Sequence, residues 1–471
     1  MFSSSINDAP RSGKTFRSRV VLAAAAAIAL CAPATAMAIP IPPTDPTPAP
    51  PAYLVVTVAL QGGFTTPAST PDLTTSELAD KIRHTANPWF TEVSHGAYPG
   101  GTTTRRGPVT VQPTPAICSP EWDRDVIVRA TAEVRKQAVE PDDFQAVIFY
   151  IKKPIGAACN SLGAATFPED GNAVLLYGRS DLHSLVQLLG FNLGLGRSGS
   201  YFCNDNNGTR VTLNEPGEGS CFQNETGDDY SAMGALAAFG YNAAQLATLH
   251  WNTGRVVTVP SDTAPVTTFL APLEASSSST PQAVNLPDEG IWLEYRQPLG
   301  VDNIAGLNVN GGLLVRSEGV NPGDVPGGDF RHRGPFLLDL SPGDGDFARG
   351  GRVDIASEMT VGQSWINTHG LHRTKITLNS ATAFGASVTV QPTITFVTIP
   401  DVIGLSTFAA RTKIEAAGLR LDDISPQADP LCENLNKVVD QSPNAGGRFR
   451  IGTSMSIRFG VEPLNGCPTP Q

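Results

Sequence analysis

The stretch QLLGFNLGLGRSG, Gln187 to Gly199, is where residue types and spacing come closest to a chemical signature. Gly194, Gly196 and Gly199 satisfy G-x-G-x-x-G, the pattern with which main-chain N–H groups cradle a dinucleotide pyrophosphate. That chemistry requires a strand before the glycines and a helix opening after them. Here the residues before the glycines, DLHSLVQLLGFNL, carry apolar side chains at helical spacing, so the glycines close a helix instead of opening one. Other nucleophilic chemistry is thin: the chain has no G-x-S-x-G elbow, and no Ser/His/Asp arrangement stands out by spacing. The loops NDNNG, starting at Asn204, and GDGDF, starting at Gly343, hold Asp, Asn and Gly but complete no EF-hand ligand series, and they read as turns.

A metal reading fits the cadence better. Gln187 to Ser198 resembles the gametolysin family of metzincins, whose run is H-E-L-G-H-N-L-G-L-G-H-S; Leu189, Gly190, Asn192, Leu193, Gly194, Leu195, Gly196 and Ser198 agree. In that family two histidines one helical turn apart, a glycine turn and a third histidine bind zinc, with a glutamate beside the first as general base. The resemblance puts Gln187, Leu188, Phe191 and Arg197 at those four positions, so every disagreement falls on a chemical position. It extends through NPWFTEVSHG from Asn87, CFQNETGDDYSAMG from Cys221 with Met233 in the place of the Met-turn methionine, YNAAQLATLHW from Tyr241, and the β-rich runs IWLEYRQPLG and FLLDLSPGDGDF. An amide oxygen is a poor zinc ligand, Phe191 offers no donor, Arg197 repels a cation and Leu188 takes no proton from water. His183, one turn before Gln187, would place a ligand about 6 Å along the helix from the family's site. The expectation is therefore a zinc-motif framework of Gly190, Asn192, Gly194, Gly196 and Met233 with its ligands replaced, and Arg197 paired in the vacated cleft with Glu225, Asp228 or Asp229.

These residues need elements to hold them. YLVVTVAL from Tyr53 and FQAVIFYI from Phe144 read as buried strands. TSELADKIRHTANPWFTEV and EWDRDVIVRATAEVRKQA between them read as helices, and Ser180 is the expected N-cap of the helix bearing Gln187. From about Val256 the chain turns to short β-branched runs, IWLEYRQ, GLLVRSEG, PFLLDLSPGDGDF and ASVTVQPTITFV, the pattern of a β-sandwich.

The N-terminus reads as a cleavable secretory signal over residues 1–38: Arg11, Lys14, Arg17 and Arg19, an apolar run from Val20 to Ala32, then Ala36-Met37-Ala38. A retained anchor is the alternative, and a lipoprotein site at Cys31 fits less well beside the bulky Leu30. Residues 39–52 form a proline-rich linker. Signal removal leaves six cysteines, and proximity favours Cys118 with Cys159, Cys203 with Cys221, and Cys432 with Cys467, among fifteen possible pairings. The formal net charge of -11 excludes an electrostatic nucleic-acid binder.

The last unit, residues 397–462, resembles a PASTA domain through IPDVIGLSTFAARTKIEAAGLRL and VVDQSPNAGGRFRIGTSMSIRFG. Ala409, Ile414, Ala417 and Leu419 should face its core, and Ser442 to Gly446 should turn between strands. Such domains belong largely to bacterial envelope proteins, and some bind peptidoglycan. The fold class expected is α+β: a metzincin-like domain at 53–255 with a mixed sheet and an active-site-type helix, a β-sandwich-like extension at 256–396, a small α+β PASTA domain, and a tail at 463–471. The function expected is a secreted or envelope-associated pseudo-metalloprotease that binds a polypeptide or peptidoglycan without catalysis or cofactor, and without a transmembrane segment after signal cleavage. The alternatives are an active zinc endopeptidase with atypical ligands, and a structural stalk that presents the PASTA module.

Overall fold

The structure is a computed structural model that describes residues 50–61, 73–114, 119–151, 163–213, 218–235, 237–261, 263–276, 279–304, 312–318, 333–341, 358–367, 373–393 and 396–467. The expected signal, most of the proline-rich linker, Cys118, Cys159 and the GDGDF loop lie outside these residues. The described chain is mixed α+β and mostly strand.

The central strands of the first sheet have no polar face. β1 (Ala52–Leu60), β2 (Thr102–Val111), β3 (Ala146–Ile151), β4 (Gly163–Ala165) and β5 (Ala173–Tyr177) form one sheet in the order β2-β1-β3-β5-β4. All its pairs are parallel except the edge pair β4 with β5. Continuous apolar runs such as AVIFYI demand cover on both faces, and both are covered. Ala146, Ile148 and Tyr150 join a core with α1 (Thr75–Lys81), a π-helical segment (Ile82–Ala86), α2 (Asn87–Val93) and α4 (Leu182–Asn192). Val147, Phe149 and Ile151 meet α3 (Pro120–Arg135), whose Trp122, Val126, Ala130 and Val134 recur every fourth residue along one stripe.

Two more sheets face each other. One runs through β6 (Arg197–Asp205), β7 (Arg210–Val211), β9 (Val256–Thr258), β11 (Ala283–Leu286), β12 (Ile291–Arg296), β13 (Gly312–Ser317) and β14 (Arg333–Leu338), with β8 (Glu218–Asn224) paired to β6. The other has the order β10-β17-β16-β15, from β10 (Val266–Leu270), β15 (Ser364–Asn367), β16 (Arg373–Thr382) and β17 (Gly385–Thr393). Leu293, Val315 and Leu338 from the first pack with Ile376, Val388 and Val390 from the second in a shared core, the arrangement of a sandwich. β6, β7 and β8 precede residue 256 yet belong to this sheet, because β6 pairs in parallel with β14. α5 (Ala243–Thr248) lies between β8 and β9 in the chain, capped by Asn242 with Gln245 in a capping box.

The two ends of α4 are set by different local rules. Asp181, not Ser180, caps its start: the carboxylate accepts from Ser184 N, and one residue of register decides which side chain reaches the third amide. At the other end Leu195 N donates to Gly190 O and Gly194 N to Phe191 O, with Gly194 at φ +93. This Schellman closure is the reason for a glycine at 194, since other residues resist positive φ.

Candidate functional site

α4 is almost wholly buried, and the residues expected at zinc-motif positions make specific contacts. Gln187 donates from Nε2 to Ala232 O at 3.2 Å and to Gly234 O at 2.5 Å. His183 Nε2 approaches the same two carbonyls at 3.1 and 3.2 Å. Burial pushes the His183 imidazole below its ordinary range, so it is neutral near pH 7 and carries its proton on the nitrogen that faces these acceptors. Two successive turns of α4 thus clasp the main chain on either side of Met233. Met233 is fully buried beneath the helix, and a Cβ on Gly190 would stand 2.5 Å from its sulfur and 2.8 Å from the Tyr241 hydroxyl. Glycine at 190 is what admits this close approach.

The remaining positions are closed by packing. Leu188 is buried in the helix-side core. Phe191 meets the Phe167 ring edge-on at 5.9 Å, and the Arg197 guanidinium lies 5.4 Å from the Phe191 ring centroid. Asn192 is buried, with Nδ2 3.5 Å from Thr166 O, and Gly196 O accepts from Gln245 Nε2 at 3.4 Å. The expected pairing of Arg197 with Asp228 does not occur: Arg197 is exposed and forms no ion pair among the described residues, whereas Asp228 is fully buried and bound to Arg316. Glu225 is exposed and Asp229 buried, and neither bonds Arg197. The physical reason is that Arg197 opens β6 with its backbone paired to β14 and its exposed guanidinium beside the Phe191 ring, while the buried Asp228 is taken by Arg316.

Arg316 belongs to a buried ionic network that the motif gave no hint of. Its Nη1 donates to Asp228, and its Nε and Nη2 donate to Glu294 Oε1 at 3.1 and 2.9 Å. Glu294 also accepts from Arg296 Nε at 3.0 Å and from Ala243 N at 2.6 Å. Arg296 donates to Asp302 at 2.6 Å and to Tyr241 O at 3.0 Å. Burial pushes Glu294 up, but Arg316 and Arg296 outweigh it and hold its carboxyl below the ordinary range. Glu274 goes the other way: burial and the Asp302 charge outweigh Arg296 and raise it well above. The network anchors the segment carrying Met233, and the start of α5, to β12 and β13. A signal existed in the sequence, because Glu294 and Arg296 sit two apart on one face of an otherwise apolar strand, where unpaired charges are not tolerated.

Other sequence readings find their places. Cys203 and Cys221 are directly opposed on β6 and β8 and bonded, as are Cys432 and Cys467. In NDNNG, Asp205 Oδ1 accepts from Asn207 N and Thr209 N, an Asx turn. No group of three or more His, Cys, Asp or Glu with metal-ligand geometry occurs among the described residues.

The C-terminal unit is built from β18 (Phe396–Thr398), α6 (Thr407–Ala416), β19 (Arg420–Ala428), β20 (Val438–Ser442), β21 (Arg448–Arg450) and β22 (Ser454–Val461). β19-β22-β20 make a three-stranded sheet and β18 pairs β21. Its core draws on Val402, Ala410, Ile414, Leu419, Val438 and Ile457. Ala410 takes the buried place expected for Ala409, one residue along from a helix start at Thr407. A model of the PASTA domain family matches residues 397–460. The C-terminal unit is a PASTA domain. Over 93 residues the chain is also 36% identical to a probable serine/threonine-protein kinase of Corynebacterium efficiens, a match that covers 19% of this chain and 14% of that protein. In this PASTA domain Gln441 accepts from Val402 N at 2.8 Å and donates to Pro400 O at 3.0 Å and Pro443 O at 3.2 Å, fastening the Pro-Asp-Val entry to the turn after β20. Leu419 N to Ile414 O and Gly418 N to Glu415 O, with Gly418 at φ +74, close α6 in the same way that α4 is closed.

Proposed function

We propose that this chain is an exported, non-catalytic binding protein of the bacterial envelope, whose PASTA domain meets peptidoglycan and whose preceding domains are a metzincin-like scaffold without zinc chemistry. The observation that carries the binding reading is the PASTA match over residues 397–460. The catalytic activity of the kinase relative does not transfer, because the match spans only 14% of that protein.

Several features support the scaffold reading. A mixed sheet stands behind α4, and Met233 lies under Gly190. The four chemical positions do not fit zinc. The Gln187 amide is engaged with main-chain carbonyls, Phe191 has no donor atom, Arg197 brings a fixed positive charge, and Leu188 cannot act as a base. Two disulfides agree with an oxidising compartment. Sedimentation with purified peptidoglycan tests the reading. The chain with its PASTA domain should pellet and the chain ending at residue 396 should stay in solution; equal pelleting would remove the role given to that domain.

A further inference from the structure

A cleft of about 240 Å³ opens beside the turn that closes α4, between that turn, one side of α5 and the segment around Gly334. Its polar lining is uneven. Gln245 is already occupied, accepting from Ser231 Oγ and Asn242 N and donating to Gly196 O, and the Thr248 hydroxyl donates to Ala244 O. Among the described residues of the wall, Glu318 alone is charged. It is exposed, forms no ion pair among the described residues, and accepts the Trp292 indole N–H on Oε1 at 2.6 Å. Leu195 and Pro335 supply apolar wall.

We infer that this cleft binds a primary ammonium group on an aliphatic stem, the lysine side chain of a polypeptide. A carboxylate that no described cation pairs, set in a mostly uncharged recess, favours a positive ligand, and the net charge of -11 favours its approach. The apolar wall accepts methylenes, which leaves only the ammonium to be matched. Lysine is selected over arginine because the indole holds one carboxylate oxygen. With the indole taking one acceptor site on Oε1, the carboxylate still suits a point-charge donor, whereas the guanidinium fork bonds best to two unoccupied oxygens. The site is built from residues outside 397–460 and is independent of what the PASTA domain binds.

Trp292 gives a local readout. In ¹⁵N-labelled full chain, with its indole N–H assigned through Trp292→Phe, that resonance is followed during titration with capped Ala-Ala-Lys-Ala-Ala and its arginine and norleucine counterparts. The lysine peptide should give a saturable shift, the arginine peptide a weaker one and the norleucine peptide none. Glu318→Gln retains an oxygen for the indole and should weaken lysine-peptide binding about tenfold or more, with the other indole resonances unmoved as the sign of an intact fold. No saturable shift with the lysine peptide, an equal response to norleucine, or unchanged affinity in Glu318→Gln would each overturn the inference.

Discussion

Gln187, which the proposed metzincin-like scaffold would place at a ligand position, donates to the carbonyls of Ala232 and Gly234. Replacing it with leucine keeps the volume and leaves those acceptors short of a donor in a dry interior. A loss of about 1–3 kcal/mol in urea unfolding is expected, with no loss if the bonds contribute nothing. Arg316 is the harsher case. Arg316→Met takes from Asp228 its charged partner and leaves Arg296 as the charged partner of Glu294, and removing one partner from a buried pair should cost about 3–5 kcal/mol in urea unfolding. Asp123 gives a pH test, since burial raises its carboxyl to about 6. A raised carboxyl contributes stability that is present below its unfolded value near 4 and lost as pH climbs through about 6. Asp123→Asn should therefore match the parent at pH 4 and exceed it at pH 8, by about 1–2 kcal/mol once solvent screening of a half-buried group is allowed for. Equal melting temperatures at both pH values would contradict this.

Helix α4 and the turn after it make the most exacting element. Gly190 lies against Met233 and Tyr241, so Gly190→Ala forces atoms into 2.5–2.8 Å contact, and overpacking of about 1–3 kcal/mol should appear as a lower melting temperature. An unchanged value would mean that Met233 moves freely. Much at this scale was legible in the sequence. The apolar run of β3, the four-residue stripe of α3 and the glycines closing α4 and α6 follow from local rules that tertiary context did not override. Less legible was β2, TTTRRGPVTV, because an exposed edge strand carries no apolar signature. The N-cap at Asp181 and the buried Ala410 each lie one residue from the expected position, the scale at which neighbouring side chains compete for one amide or one core position.

Over the full chain, the PASTA domain was legible through its resemblance to that family over IPDVIGLSTFAARTKIEAAGLRL and VVDQSPNAGGRFRIGTSMSIRFG, and the sandwich through its short β-branched runs. The partner of Asp228 could not. Arg316 is 88 positions away and arrives only through the register of β12 with β13 and β13 with β14. Motif spacing favoured Arg197, which is nearer in sequence and faces outward. On the function proposed above, Gln187, Phe191 and Arg197 hold no metal, and Gln187 is bonded to main-chain carbonyls instead. The most direct measurement is the zinc content of the purified chain after equilibration with micromolar zinc and dialysis. No stoichiometric zinc is expected, and one tightly held zinc per chain would contradict the non-catalytic reading.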